Sequence, residues 1–239
     1  MKYNSTKVQN VISNIENRGK NILIFILFFL GFLIGPSLFY SLVYEIYPTQ
    51  DRVIANLIGN GSYAIFLFII LRKTLIKDFK DLKNDRVQKM RTLFKWWGIG
   101  LLVMMVSNFI INEIVFDGSI AANEEANREL ILSFPVLSVF LAVFIAPFVE
   151  EMTFRYGLRK VFKNKWCYAI TSGVIFGFLH AISGIESYSD LIDLLYIIPY
   201  GALGFAFSII YFKTKNIWVN IITHTLHNAI VYSLLILFM

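Results

Sequence analysis

The sequence is poor in residues on which many folds and sites depend. Among 239 residues there are one cysteine, three histidines and five prolines, and only 16% are charged. The single cysteine, Cys167, excludes an intrachain disulfide. No polar run is long enough for a separate soluble domain, and no glycine-rich phosphate-binding loop is present. These absences exclude a disulfide framework and give no sign of a nucleotide-binding domain.

Apolar residues make up 57% of the chain, and the mean hydropathy is +0.64; soluble domains are about 45–50% apolar. The apolar residues occur in blocks of about 20, long enough to cross a bilayer core of about 30 Å. The sequence therefore predicts an all-α, polytopic membrane bundle of about seven transmembrane helices in one compact domain. The predicted segments are Ile22–Tyr44, Val53–Leu71, Leu93–Ile114, Leu132–Phe154, Trp166–Ile182, Leu191–Phe212 and Ile217–Phe238.

The net charge of +6 is distributed in a pattern typical of membrane topology. The N-terminal tail and the stretches 72–95 and 155–165 are basic, whereas 113–129 is acidic. Because basic loops stay cytoplasmic, we expect a multi-pass protein of the cell membrane with an N-in, C-out path and no nucleic-acid partner. The abundance of Ile, Phe, Asn and Lys is typical of an AT-rich bacterial genome.

Two adjacent glutamates, Glu150 and Glu151, end the fourth apolar block, and Arg155 follows one turn later. A charged side chain at the centre of a membrane helix costs about 2.5–3.5 kcal/mol on insertion scales, so the pair indicates a functional site. Side chains four residues apart are neighbours on a helix, which predicts an ion pair between Glu151 and Arg155. Glu150 faces elsewhere and is the candidate general base.

His180 is predicted to lie level with Glu150. The two residues stand about 15 positions before and after a turn near Asn164, which at about 1.5 Å per residue places both about 22 Å from it. His224 and Asn228 share one face of the last segment. We expect all four side chains to meet at one depth, in the cytoplasmic half of the bilayer.

Such a set can activate water. Glu150 would take the proton as general base, and His180 would orient the water or donate to the leaving group. His224 and Asn228 would donate hydrogen bonds to the oxyanion. Two histidines and one glutamate also form a known catalytic zinc set, here Glu150, His180 and His224. The residues alone leave both mechanisms open.

A structural role is the alternative for each of these residues, because a lone intramembrane histidine often joins two helices by a hydrogen bond. That alternative is weak for the full set at one depth. It stays open for His227, which either joins the site or faces a neighbouring helix. Phe176, one turn before His180, is expected to pack in the core.

Three motifs carry a family resemblance. EEMTFR from Glu150 fits EExxxR, FGFLH ending at His180 fits FxxxH, and HTLHN from His224 fits HxxxN. Together they resemble the CPBP family of CAAX prenyl proteases and bacteriocin-processing (Abi-type) enzymes. The resemblance implies that Glu150, His180, His224 and Asn228 are catalytic. It also implies that Glu151, Arg155 and Phe176 support them.

The resemblance further implies a four-helix catalytic core within residues 132–239, around an active site that faces the cytoplasmic side of the membrane. Residues 1–131 would then hold an N-terminal tail, three transmembrane helices and a basic cytoplasmic hairpin. The implied function is an intramembrane endopeptidase acting through glutamate-activated water, with a zinc-dependent mechanism as the alternative. Its expected substrate is a membrane-associated peptide or protein, such as a pheromone or bacteriocin precursor or a CAAX-like protein.

Two other functions are compatible with intramembrane Glu and His residues. A non-catalytic scaffold or a bacteriocin self-immunity protein could retain the fold without the reaction. A transporter or proton relay would also place such residues in the membrane, but the sequence shows no inverted repeat of the kind common in transporters.

Overall fold

The structure, a computed structural model, describes residues 2–46, 48, 51–118, 120, 122–183 and 188–238. Within these residues helix is the only regular structure, and seven helices are long and apolar enough to cross a membrane. The predicted all-α fold with seven spans is confirmed. The α-helices are α1 (Lys2–Tyr44), α2 (Arg52–Asp81), α3 (Arg86–Ile110), α4 (Ala122–Ser133), α5 (Pro135–Phe140), α6 (Ala146–Glu150), α7 (Lys165–Ile182), α8 (Ile197–Thr214) and α9 (Ile217–Phe238).

The fourth predicted segment, Leu132–Phe154, is not one regular helix. Its first α-helix, α5, begins at Pro135, a residue suited to the first helical position. A π-helical turn, Leu141–Ile145, joins α5 to α6. A second π-helical segment, Glu151–Gly157, follows α6. The sequence analysis treated this segment as a regular α-helix with a constant rise per residue, and that assumption was wrong. Wide turns of this kind are frequent at functional sites, and here one contains Glu151 to Arg155 of the EEMTFR motif, while Glu150 ends α6.

The acidic stretch expected to be a loop contains helix α4, which the hydropathy pattern did not reveal because the helix is largely polar. Two hydrogen bonds hold it to the spans. Ser138 Oγ of α5 donates to Leu130 O at 2.8 Å, and Tyr232 OH of α9 donates to Asn127 Oδ1 at 3.0 Å. Helix α4 therefore lies at the end of the bundle where α9 ends.

Helices α7 and α8 approach each other through glycine. A methyl group added at Gly177 would lie 2.5 Å from Ile197 O and 2.8 Å from Gly201 N, and one at Gly173 would lie 2.7 Å from Gly201 O. Small residues four apart let membrane helices pack backbone to backbone. This contact fixes α7, and with it Phe176 and His180, against α8.

The start of α9 is held by the end of α2. Lys215 adopts a left-handed conformation (φ 51°) that reverses the chain after α8. Asp78 Oδ2 accepts a hydrogen bond from Ile217 N at 3.0 Å, and Asn216 Nδ2 donates to Asp78 O at 2.6 Å. The Trp218 indole N–H donates to Leu75 O at 2.8 Å. The depth of every later α9 side chain follows from this junction.

Gly177→Ala is expected to destabilise the protein, because the added methyl group meets the α8 backbone, which cannot move aside as a flexible side chain could. Overpacking of this kind costs about 1–3 kcal/mol. Thermal unfolding of the full chain in detergent measures the effect. Gly98→Ala is the matched control, because an added methyl group there meets nothing within 4 Å. Equal melting temperatures for the two variants would contradict the packing described.

Candidate active site

Glu151 is a carboxylate with 0% exposure that binds residues of its own segment and of α9. Its Oε1 lies 2.9 Å from His224 Nδ1, and its Oε2 accepts a hydrogen bond from Asn220 Nδ2 at 3.1 Å. Arg155 Nε lies 3.3 Å from Oε2. An ionised carboxylate only accepts hydrogen bonds, so His224 Nδ1 carries a hydrogen here. Glu151 thus pairs with Arg155 and also orients the His224 ring.

Arg155 is completely buried and relies on few polar partners. Besides its contact with Glu151, its Nη2 donates to Gly204 O at 3.4 Å, and its Nη1 has no hydrogen-bond partner. Its guanidinium carbon lies 4.8 Å from the centre of the Phe176 ring and 5.4 Å from that of Phe207. Aromatic faces attract a buried cation. Phe176 therefore stabilises the Arg155 charge in addition to packing in the core.

Glu150, next in the chain, lies in a different environment. Its side chain is 14% exposed, and its Oε2 lies 3.7 Å from His224 Nε2 with no hydrogen-bond partner. Because Nδ1 carries the hydrogen bonded to Glu151, a neutral His224 presents the lone pair of Nε2 toward Glu150. This separation is too long for a direct hydrogen bond, but two acceptor atoms at 3.7 Å can share one water molecule. The two glutamates are thus divided into one saturated carboxylate and one unsatisfied carboxylate.

His180 and Asn228 line the same space as Glu150, and each has one polar atom anchored. His180 Nδ1 lies 2.9 Å from Phe176 O; a carbonyl only accepts, so Nδ1 donates and Nε2 is an acceptor in the neutral ring. Asn228 Nδ2 donates one hydrogen to Ala142 O at 2.7 Å, in the first π-helical turn. Its second amide hydrogen remains as a donor.

Two cavities meet at these residues, with volumes of about 310 and 430 Å³. Both are lined by Glu150, His180 and Asn228, and His224 lines the larger one. The smaller, polar lobe is also lined by Asn56 and Asn60 of α2, Asn127 and Ser138. The larger, mainly apolar lobe is also lined by Met104, Phe176, Leu203, Phe207, Val231, Leu234, Leu235 and Phe238. The structure thus brings the four predicted catalytic side chains together; their catalytic roles stay a prediction.

His227 lines the apolar lobe and is tied to α3. The Trp97 indole N–H, which can only donate, lies 3.4 Å from His227 Nδ1. A neutral His227 therefore carries its hydrogen on Nε2. The structure gives it a helix-joining contact and leaves its Nε2–H as a neutral donor at the cavity wall.

Sequence reasoning missed several polar residues around the site. Asn220 lies four residues before His224, as Asn228 lies four after it, so the periodic stripe was a usable signal. The sequence gives no comparable signal for Asn56 and Asn60 of α2. Their segment lies far from the motifs in the chain, and only tertiary packing brings it to the cavity.

The zinc alternative needs three protein ligands and one open position. Among the described residues no three His, Cys, Asp or Glu side chains are grouped as metal ligands. His224 donates from Nδ1 to Glu151, and His180 donates from Nδ1 to Phe176 O, so each ring keeps Nε2 free. Zinc-binding histidines have the same arrangement. The ring nitrogens therefore do not separate the zinc mechanism from the glutamate mechanism, and both stay predictions.

Comparison with known proteins adds independent information. Residues 132–230 match the family described as "Type II CAAX prenyl endopeptidase Rce1-like". The "Putative membrane peptidase YdiL" of Bacillus subtilis (strain 168) is 27% identical over 198 residues, which cover 77% of this chain and 74% of that protein. An uncharacterized protein of Mycoplasma capricolum is 30% identical over 189 residues, covering 73% and 54%. No solved structure matches this chain.

The "UPF0177 protein YvdC" of Lactococcus lactis is 24% identical over 192 residues, covering 76% of this chain and 65% of that protein. The chain therefore spans less than two thirds of the length of two of these three relatives. The family match and the Bacillus relative confirm the resemblance that the three motifs predicted. With the seven spans, they support a multi-pass membrane protein of the peptidase class.

Glu151→Gln is expected to destabilise the protein strongly, because the neutral amide leaves the buried Arg155 charge without its counterion. Removing one partner of a buried ion pair costs about 3–5 kcal/mol. Glu150→Gln is the matched control: it changes the adjacent residue in the same way, where no buried cation depends on it. Thermal unfolding in detergent compares the two variants. Similar melting temperatures would contradict the conclusion that Glu151, and not Glu150, is the counterion of Arg155.

Proposed function

We propose that this chain, whose residues 132–230 belong to the Rce1-like family within the CPBP proteases, is an intramembrane endopeptidase that hydrolyses a peptide bond through water activated by Glu150. The observation that carries the proposal is the state of Glu150 Oε2. This atom is buried without a hydrogen-bond partner, faces His224 Nε2 at 3.7 Å and lies where both cavities meet.

The hydrogen bonds described above determine which atoms are left to take part in the reaction. A substrate water placed between Glu150 Oε2 and His224 Nε2 would donate to both acceptors, which leaves its oxygen lone pair directed at the scissile carbonyl carbon. As the C–O bond forms, Glu150 takes the proton. The carbonyl oxygen becomes an oxyanion. Collapse of the intermediate breaks the C–N bond, and the proton held by Glu150 passes to the leaving nitrogen.

Asn228 is the best placed neutral donor for the oxyanion, because one of its amide hydrogens is anchored on Ala142 O and the other remains. The neutral His224 ring holds its hydrogen on Nδ1, so its Nε2 accepts a hydrogen bond from the water. His180, with Nδ1 donating to Phe176 O, orients water or the substrate through Nε2.

The two lobes favour a substrate with uneven polarity. Amide side chains such as Asn56 and Asn60 can bind the main chain of an extended peptide through both donors and acceptors. The apolar lobe, with Phe207 and Leu235, would hold a large apolar group on the other side of the scissile bond. A membrane-associated peptide of the pheromone or bacteriocin-precursor type, or a CAAX-like protein end, has this character.

Glu150→Gln is expected to abolish hydrolysis, because the amide cannot take a proton from water. The measurement uses detergent-purified full chain and a panel of membrane-associated peptides, with cleavage followed by mass spectrometry. Metal content is determined on the same preparation. Activity without bound metal supports the glutamate mechanism. Activity lost on chelation and restored by zinc would overturn it.

The scaffold or self-immunity alternative is separated by the same variant in cells. We expect the cellular phenotype of the wild-type chain to be lost with Glu150→Gln and with His180→Ala at unchanged protein level. A phenotype that survives both substitutions would sink the protease proposal.

Asn228→Ala is expected to lower kcat about 10²–10³-fold with little change in KM, because an oxyanion donor acts mainly in the transition state. Asn108→Ala is the matched control; it removes an asparagine that lines the larger cavity alone, whereas Asn228 lines both cavities. The control should change KM alone. Equal losses of kcat in both variants would contradict the role given to Asn228.

A further inference from the structure

The first turns of α3 carry a groove that is separate from the candidate active site. It has a volume of about 700 Å³ and is lined by Arg86, Val87, Met90, Arg91 and Phe94. None of these residues lines either of the two cavities of the candidate active site. This space is here called the α3 groove, and the ligand that it could bind is a question apart from the peptidase reaction.

Helical phase places the three apolar side chains of the groove between its two arginines. At about 100° per residue, the apolar side chains lie about 40–100° around the helix from Arg86, and Arg91 lies at about 140°. Each edge of the apolar stripe thus carries one guanidinium group. Val87 is 65% exposed and Phe94 is 55% exposed, so no neighbouring helix covers the stripe.

The two arginines of the groove are available to an anion. Neither Arg86 nor Arg91 forms a salt bridge within the part of the chain that the structure describes. Lys89, which lies between them in the sequence, is instead paired with Asp81 at 2.9 Å. The stretch 72–95 contains nine basic residues and only three acidic ones, so its positive charge is not balanced locally.

The opposite face of α3 holds the groove in place. Lys89 is buried and joins the start of α3 to Asp81 at the end of α2. Leu93 is also buried and packs in a cluster with Leu203 and Phe207 of α8. The side chains of the α3 groove therefore project from a helix whose position is fixed by its neighbours.

The apolar stripe continues along α3 into the candidate membrane span. Met105 and Phe109 lie within about 60° of Phe94 around the helix, and both are exposed. Gly98 lies between Phe94 and Met105, and a methyl group added there would meet nothing within 4 Å. The helix surface is therefore low at this point and offers an apolar track below the two arginines.

A phosphate group with a long apolar chain fits both parts of this surface. The planar guanidinium group of arginine binds phosphate through paired hydrogen bonds, and basic residues beside a membrane helix attract anionic lipids. A small soluble anion would leave the apolar stripe uncovered. An acidic soluble protein would reach the arginines but not the part of the stripe that lies within the span.

We propose that the α3 groove binds one anionic phospholipid of the surrounding bilayer. Its phosphate lies between Arg86 and Arg91, and one acyl chain follows the track past Phe94, Gly98 and Met105. The proposal does not depend on the peptidase reaction, because none of these residues touches the catalytic side chains. A ligand that binds the folded chain and not the unfolded chain also stabilises the fold.

Native mass spectrometry of the full chain in detergent tests the proposal by counting bound lipids. The anionic probe is dioleoyl phosphatidylglycerol. The control lipid is dioleoyl phosphatidylcholine, which has the same chains and a phosphate but no net charge. Glycerophosphoglycerol, the same headgroup without chains, is the soluble probe.

Three double variants separate the parts of the groove. Arg86→Gln with Arg91→Gln removes its two charges. Arg72→Gln with Lys73→Gln is the matched control, because it removes two exposed charges of the same basic stretch that do not line the groove.

The third variant, Val87→Ser with Phe94→Ser, removes exposed apolar groups of the groove and keeps both arginines. All the substituted side chains are exposed, so we expect each variant to fold. Thermal unfolding without added lipid checks this.

We expect the wild-type chain to bind one phosphatidylglycerol more tightly than phosphatidylcholine. The Arg86→Gln, Arg91→Gln variant should bind it about 25-fold more weakly, at about fivefold for each basic residue at an anionic surface. The control pair should keep the wild-type affinity. Phosphatidylglycerol should raise the melting temperature of the wild type and of the control pair, but not that of the groove pair.

Equal affinity of the wild type for the two lipids would overturn the proposal. Equal losses in the groove pair and the control pair would do so too, because they would show a diffuse attraction to the basic stretch. Binding of the soluble headgroup as tightly as the lipid, or undiminished lipid binding by the Val87→Ser, Phe94→Ser variant, would assign the groove to a soluble anion instead. Binding needs no catalysis, so failure of the peptidase proposal leaves every one of these results readable.

Discussion

The hydrogen bond between the buried Glu151 carboxylate and His224 is the contact on which the geometry of the site depends. It joins the π-helical segment Glu151–Gly157 to α9 and determines which His224 nitrogen faces Glu150. Desolvating a carboxylate is costly unless it is paired and hydrogen-bonded. Asn220 and Arg155 provide that pairing, so the His224 ring is held by a network rather than by a single bond.

This network also explains how two neighbouring glutamates can differ in chemistry. The charge of Glu151 is balanced by Arg155, which itself lies against Phe176 and Phe207. Glu150 gains neither a cation nor a hydrogen-bond donor from that cluster. The wide π-helical turn keeps Arg155 beneath Glu151, while Glu150, at the end of α6, faces the cavities. Of the two carboxylates, Glu150 is therefore the one left to take a proton in the proposed reaction.

The spans and the motif residues were predictable from the sequence, because hydropathy and residue spacing are local properties. Seven apolar blocks gave seven spans, and four-residue spacing placed Glu151 beside Arg155. The π-helical turns were not predictable, because they carry no periodic signal. Helix α4 was not predicted because it is largely polar. Asn56 and Asn60 of α2 were not predicted as site residues because only packing brings them to the cavity.

Hydrolysis inside a bilayer, as proposed for this chain, needs a supply of water, and the polar lobe offers a route for it. The hydrocarbon core offers no hydrogen bonds, so water enters only where protein groups replace those it loses. Asn60, Asn127 and Asn228 line one such space beside Glu150, and the packed cluster around Arg155 closes it on the other side. Water can therefore reach Glu150, the proposed base, while the buried ion pair stays dry. An ion pair kept from water is not weakened by its screening, and so it can hold His224 throughout the proposed hydrolysis.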